Sequence, residues 1–231
     1  MNTFERTSQL IGEDNLLRLQ RTKVILFGVG GVGGWCAEAL VRSGIGHLTM
    51  VDFDVVSDTN LNRQLVATAA NVGQPKVIEM RQRLLSIVPE ADIVAVNTKY
   101  SEATASAFCF DDYDYVIDAI DTLDCKLHLI MRATESSATL FSSMGAGRKL
   151  HPDRIRVAEI WKVQGCPLAR ALRDRMKRTH CFPARHFQCV YSDEIALREG
   201  IPVRQGTLAH IVGTFGFRLA DLVLNDILTH P

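Results

Sequence analysis

The chain has 231 residues, 47% of them apolar, with 26 Lys and Arg against 26 Asp and Glu. This length and composition suit one sizeable core and a single domain over residues 1–231. A formal net charge of zero excludes nucleic-acid binding through the field of the whole molecule, so any such partner must be read by a local patch.

In chain order, the opening residues Met1-Asn-Thr-Phe-Glu-Arg6 lack the apolar core of a signal peptide, and a cytoplasmic location is expected. Residues 4–21 read as helical with a polar face. The stretch from Lys23 to Asp54 then organises everything after it. An apolar run, Lys23-Val-Ile-Leu-Phe27, meets the glycine-rich turn Gly28-Val-Gly-Gly-Val-Gly-Gly34. A helical pattern follows, and a second apolar run, His47-Leu-Thr-Met-Val51, ends at Asp52. Strand, glycine turn, helix and an acid about 20 residues on form the pattern of a nucleotide-binding βαβ unit. Gly28, Gly30 and Gly31 let a phosphate chain approach the backbone, while Gly33 lets helix and strand pack closely. The first N–H groups of the helix then face an anion, and Asp52 is placed to accept from ribose hydroxyls. The spacing fits a dinucleotide and ATP equally. A Walker loop is disfavoured, because no Gly-Lys-Ser/Thr closes the turn.

Val55 to Gln64 is too rich in Asn and Asp for a helix interior and reads as an active-site loop. Pro75 suits the first turn of a helix running to about Val88, with Lys76 just inside it. Ala91–Asn97 alternates as a strand, residues 102–109 are expected to form a short helix, and Asp114–Asp121 reads as a buried strand with Asp118 and Asp121 at its carboxyl end. A helix over 122–135 and a strand over Thr139–Met144 continue the alternation. Beyond Gly145, Arg154–Trp161 and Phe187–Tyr191 read as strands, and 167–179 and 207–228 as helices. The last of these is interrupted by His210, Arg218, Asp221 and Asn225, so no membrane span is expected. The expected fold class is therefore α/β: a Rossmann-like, mostly parallel sheet with helices on both faces and a C-terminal mixed extension, with ligands at the strand carboxyl ends.

The six cysteines form no Cys-x-x-Cys pair, so no zinc is expected. The polar groups this fold gathers at the strand ends are Asp52, Asp54, Asn60, Arg63, Gln64, Lys76, Asp118 and Asp121. Nothing among them presents the Tyr-Lys or His proton relay of hydride transfer. Arg63 and Lys76 suit a triphosphate, and an acid at a strand end suits Mg²⁺.

Together, Gly28-Val-Gly-Gly-Val-Gly-Gly, Asp52-Phe-Asp, Asn60-Leu-Asn-Arg-Gln64, Gly73-Gln-Pro-Lys76 and Asp118-Ala-Ile-Asp121 resemble the adenylating family that includes ubiquitin-activating, thiamine-biosynthetic and molybdopterin-biosynthetic activating enzymes. Asp118-Ala-Ile-Asp-Thr, Ser142-Ser-Met-Gly-Ala-Gly, Cys166-Pro-Leu-Ala and Val190-Tyr-Ser-Asp-Glu194 are similar to its bacterial tRNA threonylcarbamoyladenosine dehydratases. The resemblance implies that ATP activates the carboxylate of the threonylcarbamoyl group beside the tRNA anticodon, after which the group cyclises with net loss of water. It also implies that Gly30 and its neighbours cradle ATP and that Asp52 holds the ribose. Asn60, Arg63 and Lys76 would contact phosphates, Asp121 would bind Mg²⁺, and Arg6 would reach the ATP of a partner subunit in a homodimer. A monovalent cation is a further candidate cofactor.

For the tRNA, the basic stretch Arg170, Arg173, Arg175, Lys177, Arg178 and Arg185 is the candidate docking surface. Cys166 precedes a proline with no evident base nearby and reads as a packed thiol, and nothing singles out Cys181 or Cys189. The segment Arg198–Gly206 is short and lacks the cysteine that some dehydratases carry there, which argues against a sulfur-transfer partner. The readings set beside this one are activation of a small carrier protein ending in Gly-Gly, an NAD-dependent oxidoreductase, and a non-catalytic nucleotide-sensing scaffold.

Overall fold

The computed structural model describes residues 3–195 and 206–229, so most of the Arg198–Gly206 segment lies outside the described residues. In chain order come α1 (Glu5–Ile11), α2 (Glu13–Arg21), β1 (Lys23–Phe27), α3 (Gly33–Ser43), β2 (His47–Asp52), α4 (Lys76–Ile87), β3 (Asp92–Asn97) and β4 (Tyr115–Asp118). They are followed by α5 (Leu123–Glu135), β5 (Thr139–Ser143), β6 (Ile155–Glu159), α6 (Pro167–Thr179), β7 (Gln188–Ser192) and α7 (Ala209–Thr229). One seven-stranded sheet has the order β3-β2-β1-β4-β5-β7-β6. Every neighbouring pair is parallel except β6 with β7, so the expected extension is a single antiparallel edge strand.

The period of two along each strand sorts side chains to opposite faces. On β1, Val24 and Leu26 join a core with residues of α2, α3, α4 and α7. Ile25 and Phe27 join a second core with α5 and α6. Both faces of the sheet are thus covered, which is why its strands read as near-continuous apolar runs. Among the described residues no helix is long and apolar enough to cross a membrane.

Several boundaries differ from the sequence expectation. The helix over 4–21 is broken into α1 and α2 at Gly12, whose φ is +82°. The expected helix over 102–109 is absent; short 3-10 turns stand at Ala105–Ala107 and Phe110–Asp112 instead. Tertiary packing overrides helix propensity there. Tyr100, Phe108 and Phe110 pack edge-on around the Phe27 ring, with centroids 4.9, 5.3 and 5.7 Å away, while the Thr104 hydroxyl donates to the Lys99 carbonyl at 2.7 Å and ties off a turn. β4 stops at Asp118 rather than Asp121, and β6 at Glu159, where a 3-10 turn over Ile160–Lys162 takes over.

The sheet positions the site through its topology. From β1 the chain builds outward through β2 and β3, then returns to the other side of β1 with β4 and β5. The switch point lies between β1 and β4, and the strand ends there are level: Phe27 is in register with Val51 and Asp118, and Asp118 with Ser142. Crevices outside such carboxyl ends are where open α/β sheets bind ligands.

Candidate active site

A cavity of about 300 Å³ opens at this switch point. Its floor is the glycine turn after β1, and its walls are the loops after β2, β3, β4 and β5, with Val212 of α7 closing one side.

The turn itself is shaped by two different demands on glycine. A Cβ at Gly33 would stand 1.8 Å from the Gly28 carbonyl oxygen, so Gly33 serves the packing of α3 on the turn and does not line the cavity. Gly30 does line it, and a Cβ there would meet nothing nearer than Gln64 Nε2 at 3.9 Å. The two positions should therefore separate in mutagenesis. Gly30→Ala is expected to keep the thermal midpoint within about 2 °C of wild type while weakening ATP binding roughly tenfold, because the methyl fills space meant for the ligand. Gly33→Ala is expected to cost about 3 kcal/mol or more of stability through a backbone clash. A Gly30→Ala protein that titrates with ATP like wild type would remove the glycine turn from the site.

Asp52 is 9% exposed and holds two backbone donors: Val29 N–H reaches Oδ2 at 2.6 Å and Asp54 N–H reaches Oδ1 at 2.8 Å. It thereby fixes the turn after β1 against the end of β2. Burial raises its carboxyl above the usual range, and the two N–H donors and the charge of Lys76 offset only part of this.

Residues 55–75 leave the sheet and return as a closed excursion. Val55 bridges to Pro75, and Val56 exchanges backbone hydrogen bonds with Gln74 and Gly73, each 2.8 Å long. The closure brings Lys76 back beside Asp54, so that the Lys76 N–H meets the Asp54 carbonyl at 2.9 Å and the ammonium meets Asp54 Oδ2 at 2.8 Å. Lys76 is 5% exposed, whereas the carboxylate that neutralises it is half exposed. A buried cation is costly unless paired, and here both members of the pair line the cavity, the lysine buried and the carboxylate half exposed. The same excursion carries Arg63 and Gln64 over the glycine turn. Arg63 Nη1 donates to the Thr59 carbonyl at 2.6 Å and to Asn62 Oδ1 at 3.0 Å, both neutral acceptors that leave its charge for an anion. Gln64 is buried, and its Oε1 has no hydrogen-bond partner among the described residues. Such an orphan acceptor calls for a donor, which a ribose hydroxyl or an adenine amino group supplies.

Gly28, Gly30, Gly31, Asp52, Asp54, Arg63, Gln64, Lys76 and Asp121 are all brought to the cavity. Three of the expected residues lie outside this lining. Asp118 is fully buried, paired with Lys126 at 2.7 Å, and accepts from the Ser142 hydroxyl at 2.7 Å and the Ile120 N–H at 3.1 Å. Asn60 lies outside the cavity lining, with its Oδ1 accepting the Ser57 N–H at 3.1 Å in a capping box that shapes the loop. Arg6, expected to act at a partner subunit's ATP, sits exposed on α1 outside this chain's own cavity lining. The basic stretch is also thinner than its sequence suggests. Arg173 donates to the Ile160 and Val163 carbonyls, Arg175 pairs with Asp124, and Arg185 stitches the carbonyls of Thr134 and Ala138.

Sequence reasoning missed Phe53, Lys99 and Tyr100, the Ser143–Gly147 loop, Leu168 and Val212. The ends of β3 and β5 were the available signal, since the switch-point rule sends all neighbouring strand ends to one crevice. Lys99 stands 5.4 Å above the Phe53 ring. Cys166 is buried; burial also pushes the Cys36 and Cys189 thiols up, and Cys181 is exposed. Among the described residues no group of three or more His, Cys, Asp or Glu could hold a metal.

A parallel sheet with a glycine turn, a ribose-type acid and two cations at its switch point defines a nucleotide-binding α/β protein of the phosphate-handling kind. The chain matches the ThiF family over residues 4–223 and belongs to that family. It is similar to the tRNA threonylcarbamoyladenosine dehydratase of Bacillus subtilis, with 40% identity over 203 residues covering 87% of this chain and 79% of the relative. The Haemophilus influenzae protein of the same name is 32% identical over 242 residues, covering 97% and 93%. Among solved structures, the chain resembles the Escherichia coli tRNA N6-threonylcarbamoyladenosine dehydratase in complex with AMP, at a TM-score of 0.93 and 32% identity over 99% of this chain and 94% of the other. The ATP complex of that enzyme gives a TM-score of 0.90 at 33% identity with the same coverage.

Proposed function

We propose that this protein is an ATP-dependent dehydratase that activates the carboxylate of threonylcarbamoyladenosine in tRNA and cyclises the group through an acyl adenylate. The observation that carries this reading is Lys76, an ammonium buried to 5% exposure that faces the cavity beside the glycine turn and shares only a half-exposed counter-ion. Relatives of that name at 32–40% identity over most of the chain supply the substrate.

The chemistry follows from the cavity's donors. The glycine turn and the positive end of the α3 dipole take the phosphates. Lys76 and Arg63 balance charge on them as the substrate carboxylate bonds to the α-phosphorus and the bond to pyrophosphate breaks. The carbamoyl oxygen or nitrogen then attacks the acyl carbon and AMP leaves, carrying off the oxygen that is lost as water. Holding both reacting groups within one nucleoside supplies most of the entropic advantage, and no enzyme nucleophile is needed. The buried Asp52 carboxylate takes the ribose. Asp121, an exposed carboxylate in the lining, would hold Mg²⁺; the ion when bound would lower the negative charge of the triphosphate.

Two further assignments belong to this reading. The protein acts in the cytoplasm, a location that tRNA-modifying relatives support. It works as a homodimer, in which Arg6 serves the partner's ATP. The exposure of Arg6 on α1, beside Leu10 at 85% exposure, supports a second copy at this face.

The test is to incubate the protein with ATP, Mg²⁺ and tRNA bearing the modified nucleoside, then to digest and weigh the nucleosides. Threonylcarbamoyladenosine should lose the mass of one water with one AMP formed per turnover. An unchanged mass would sink the dehydratase reading.

A further inference from the structure

We propose that the exposed ring pair Trp161–Phe182 is a stacking platform for an unpaired base of the tRNA, a second contact point away from the nucleotide cavity. The proposal rests on the reading that tRNA is the substrate.

The two rings lie with centroids 6.1 Å apart at 44°, and Trp161 and Phe182 are 37% and 53% exposed. The backbone presents them in a fixed place. Trp161 N–H donates to Glu159 Oε2 at 2.9 Å, and the turn that carries it is clamped to α6 by Arg173, which donates to the Ile160 and Val163 carbonyls at 2.8 and 2.9 Å. His180 ends α6 in the left-handed region at φ +53°, turning the chain back so that Phe182 meets Trp161. A non-glycine residue in that region is uncommon and costs free energy.

The charge around the rings selects the partner. Lys162, Lys177, Arg178, His180 and His186 are exposed close to the pair in sequence or space, with His186 Nδ1 3.4 Å from the other oxygen of Glu159. With the imidazoles neutral, Lys162, Lys177 and Arg178 stand against Glu159 and Asp174, which leaves a narrow local surplus of positive charge in a chain whose formal net charge is zero. Aromatic faces ringed by cations are the combination that binds unpaired bases: rings take the base and cations take the flanking phosphates. An apolar protein partner would not call for the cations, and duplex nucleic acid would not call for the rings.

The platform also sits at a useful distance. β6 runs antiparallel to β7, so Glu159 and Trp161 lie at the end of the sheet opposite the cavity. α6 connects the two, since Leu168 in its first turn lines the cavity and Thr179 ends beside the rings. Its 13 residues span roughly 18 Å, a length that an RNA stem-loop bridges. Arg170, exposed between the two points, extends the cationic path.

Tryptophan fluorescence of the full chain tests this directly, because Trp161 is one of two tryptophans. Titrating wild type with tRNA should quench the signal. Trp161→Phe should lose most of the quench while binding tRNA within about twofold of wild type, since a phenyl ring still stacks. The double variant Trp161→Ala/Phe182→Ala should bind tRNA about tenfold more weakly or worse and show a raised KM for tRNA. Its ATP affinity without tRNA and its thermal midpoint should hold. Full conversion of tRNA by the double variant at the wild-type KM would overturn this proposal alone. A wild-type protein that neither binds nor converts tRNA would overturn the dehydratase reading with it.

Discussion

Replacing Lys76 with alanine is expected to lower kcat about 10²–10³-fold at saturating ATP and tRNA, the loss typical of removing one preorganised donor from a site where charge develops. The KM for ATP should change much less, because the glycine turn, Asp52 and Gln64 remain to hold the nucleotide. Stability should change little, since the carboxylate left behind, Asp54, is half exposed and water can take over its solvation. Lys76→Arg should not rescue the rate. The pocket that leaves the lysine 5% exposed is fitted to a compact ammonium, and a guanidinium would have to displace its neighbours. Steady-state AMP release together with a melting curve separates these outcomes, and a loss below about tenfold in kcat would show that Lys76 is only a structural partner of Asp54.

The contrast between Lys76 and its acidic neighbours bears on what a sequence can reveal. The two carboxylates of Asp118-Ala-Ile-Asp121 look alike as text, yet one is fully buried and the other lines the cavity. The difference is register. Asp118 is the last residue of β4, level with Phe27 and Ser142 in the middle of the sheet, whereas Asp121 lies past the strand end. Its buried partner could not be foreseen either. Lys126 sits on α5 among Cys125, Leu127 and His128, where periodicity alone would place it at the surface. What was legible was everything written in a period: the alternating strands, the glycine turn, and the Pro75 start of α4. The 102–109 segment departs from its expected helix, and part of the basic stretch is taken up within the fold, for a shared reason. In each, long-range partners set the local outcome: the Phe27 ring for the first, and main-chain carbonyls that consume Arg173 and Arg185 for the second.

Lys126→Ala and Asp118→Ala are each expected to destabilise the fold by about 3–5 kcal/mol, because either change strands an uncompensated charge inside the protein. Both side chains are 0% exposed and stand 2.7 Å apart. At this chain length that loss lowers the thermal midpoint by roughly 10 °C. The network does more than balance charge. Lys126 Nζ donates to the Ile120 carbonyl at 3.0 Å and Asp118 Oδ1 accepts the Ile120 N–H at 3.1 Å, so both backbone groups next to Asp121 depend on the pair. A single variant that still folds at low temperature should therefore also use ATP poorly, through a displaced Asp121. Removing both charges tests the account more sharply. Lys126→Met with Asp118→Leu should be more stable than either single variant, since no lone charge remains, with a coupling of about 0.5–3 kcal/mol between the sites. It should still fall short of wild type, because the Ile120 groups and the Ser142 hydroxyl, which donates to Asp118 Oδ2 at 2.7 Å, lose their partners in a dry interior. Single variants that melt within about 2 °C of wild type would mean that water reaches this pair and that the loop bearing Asp121 is held by something else.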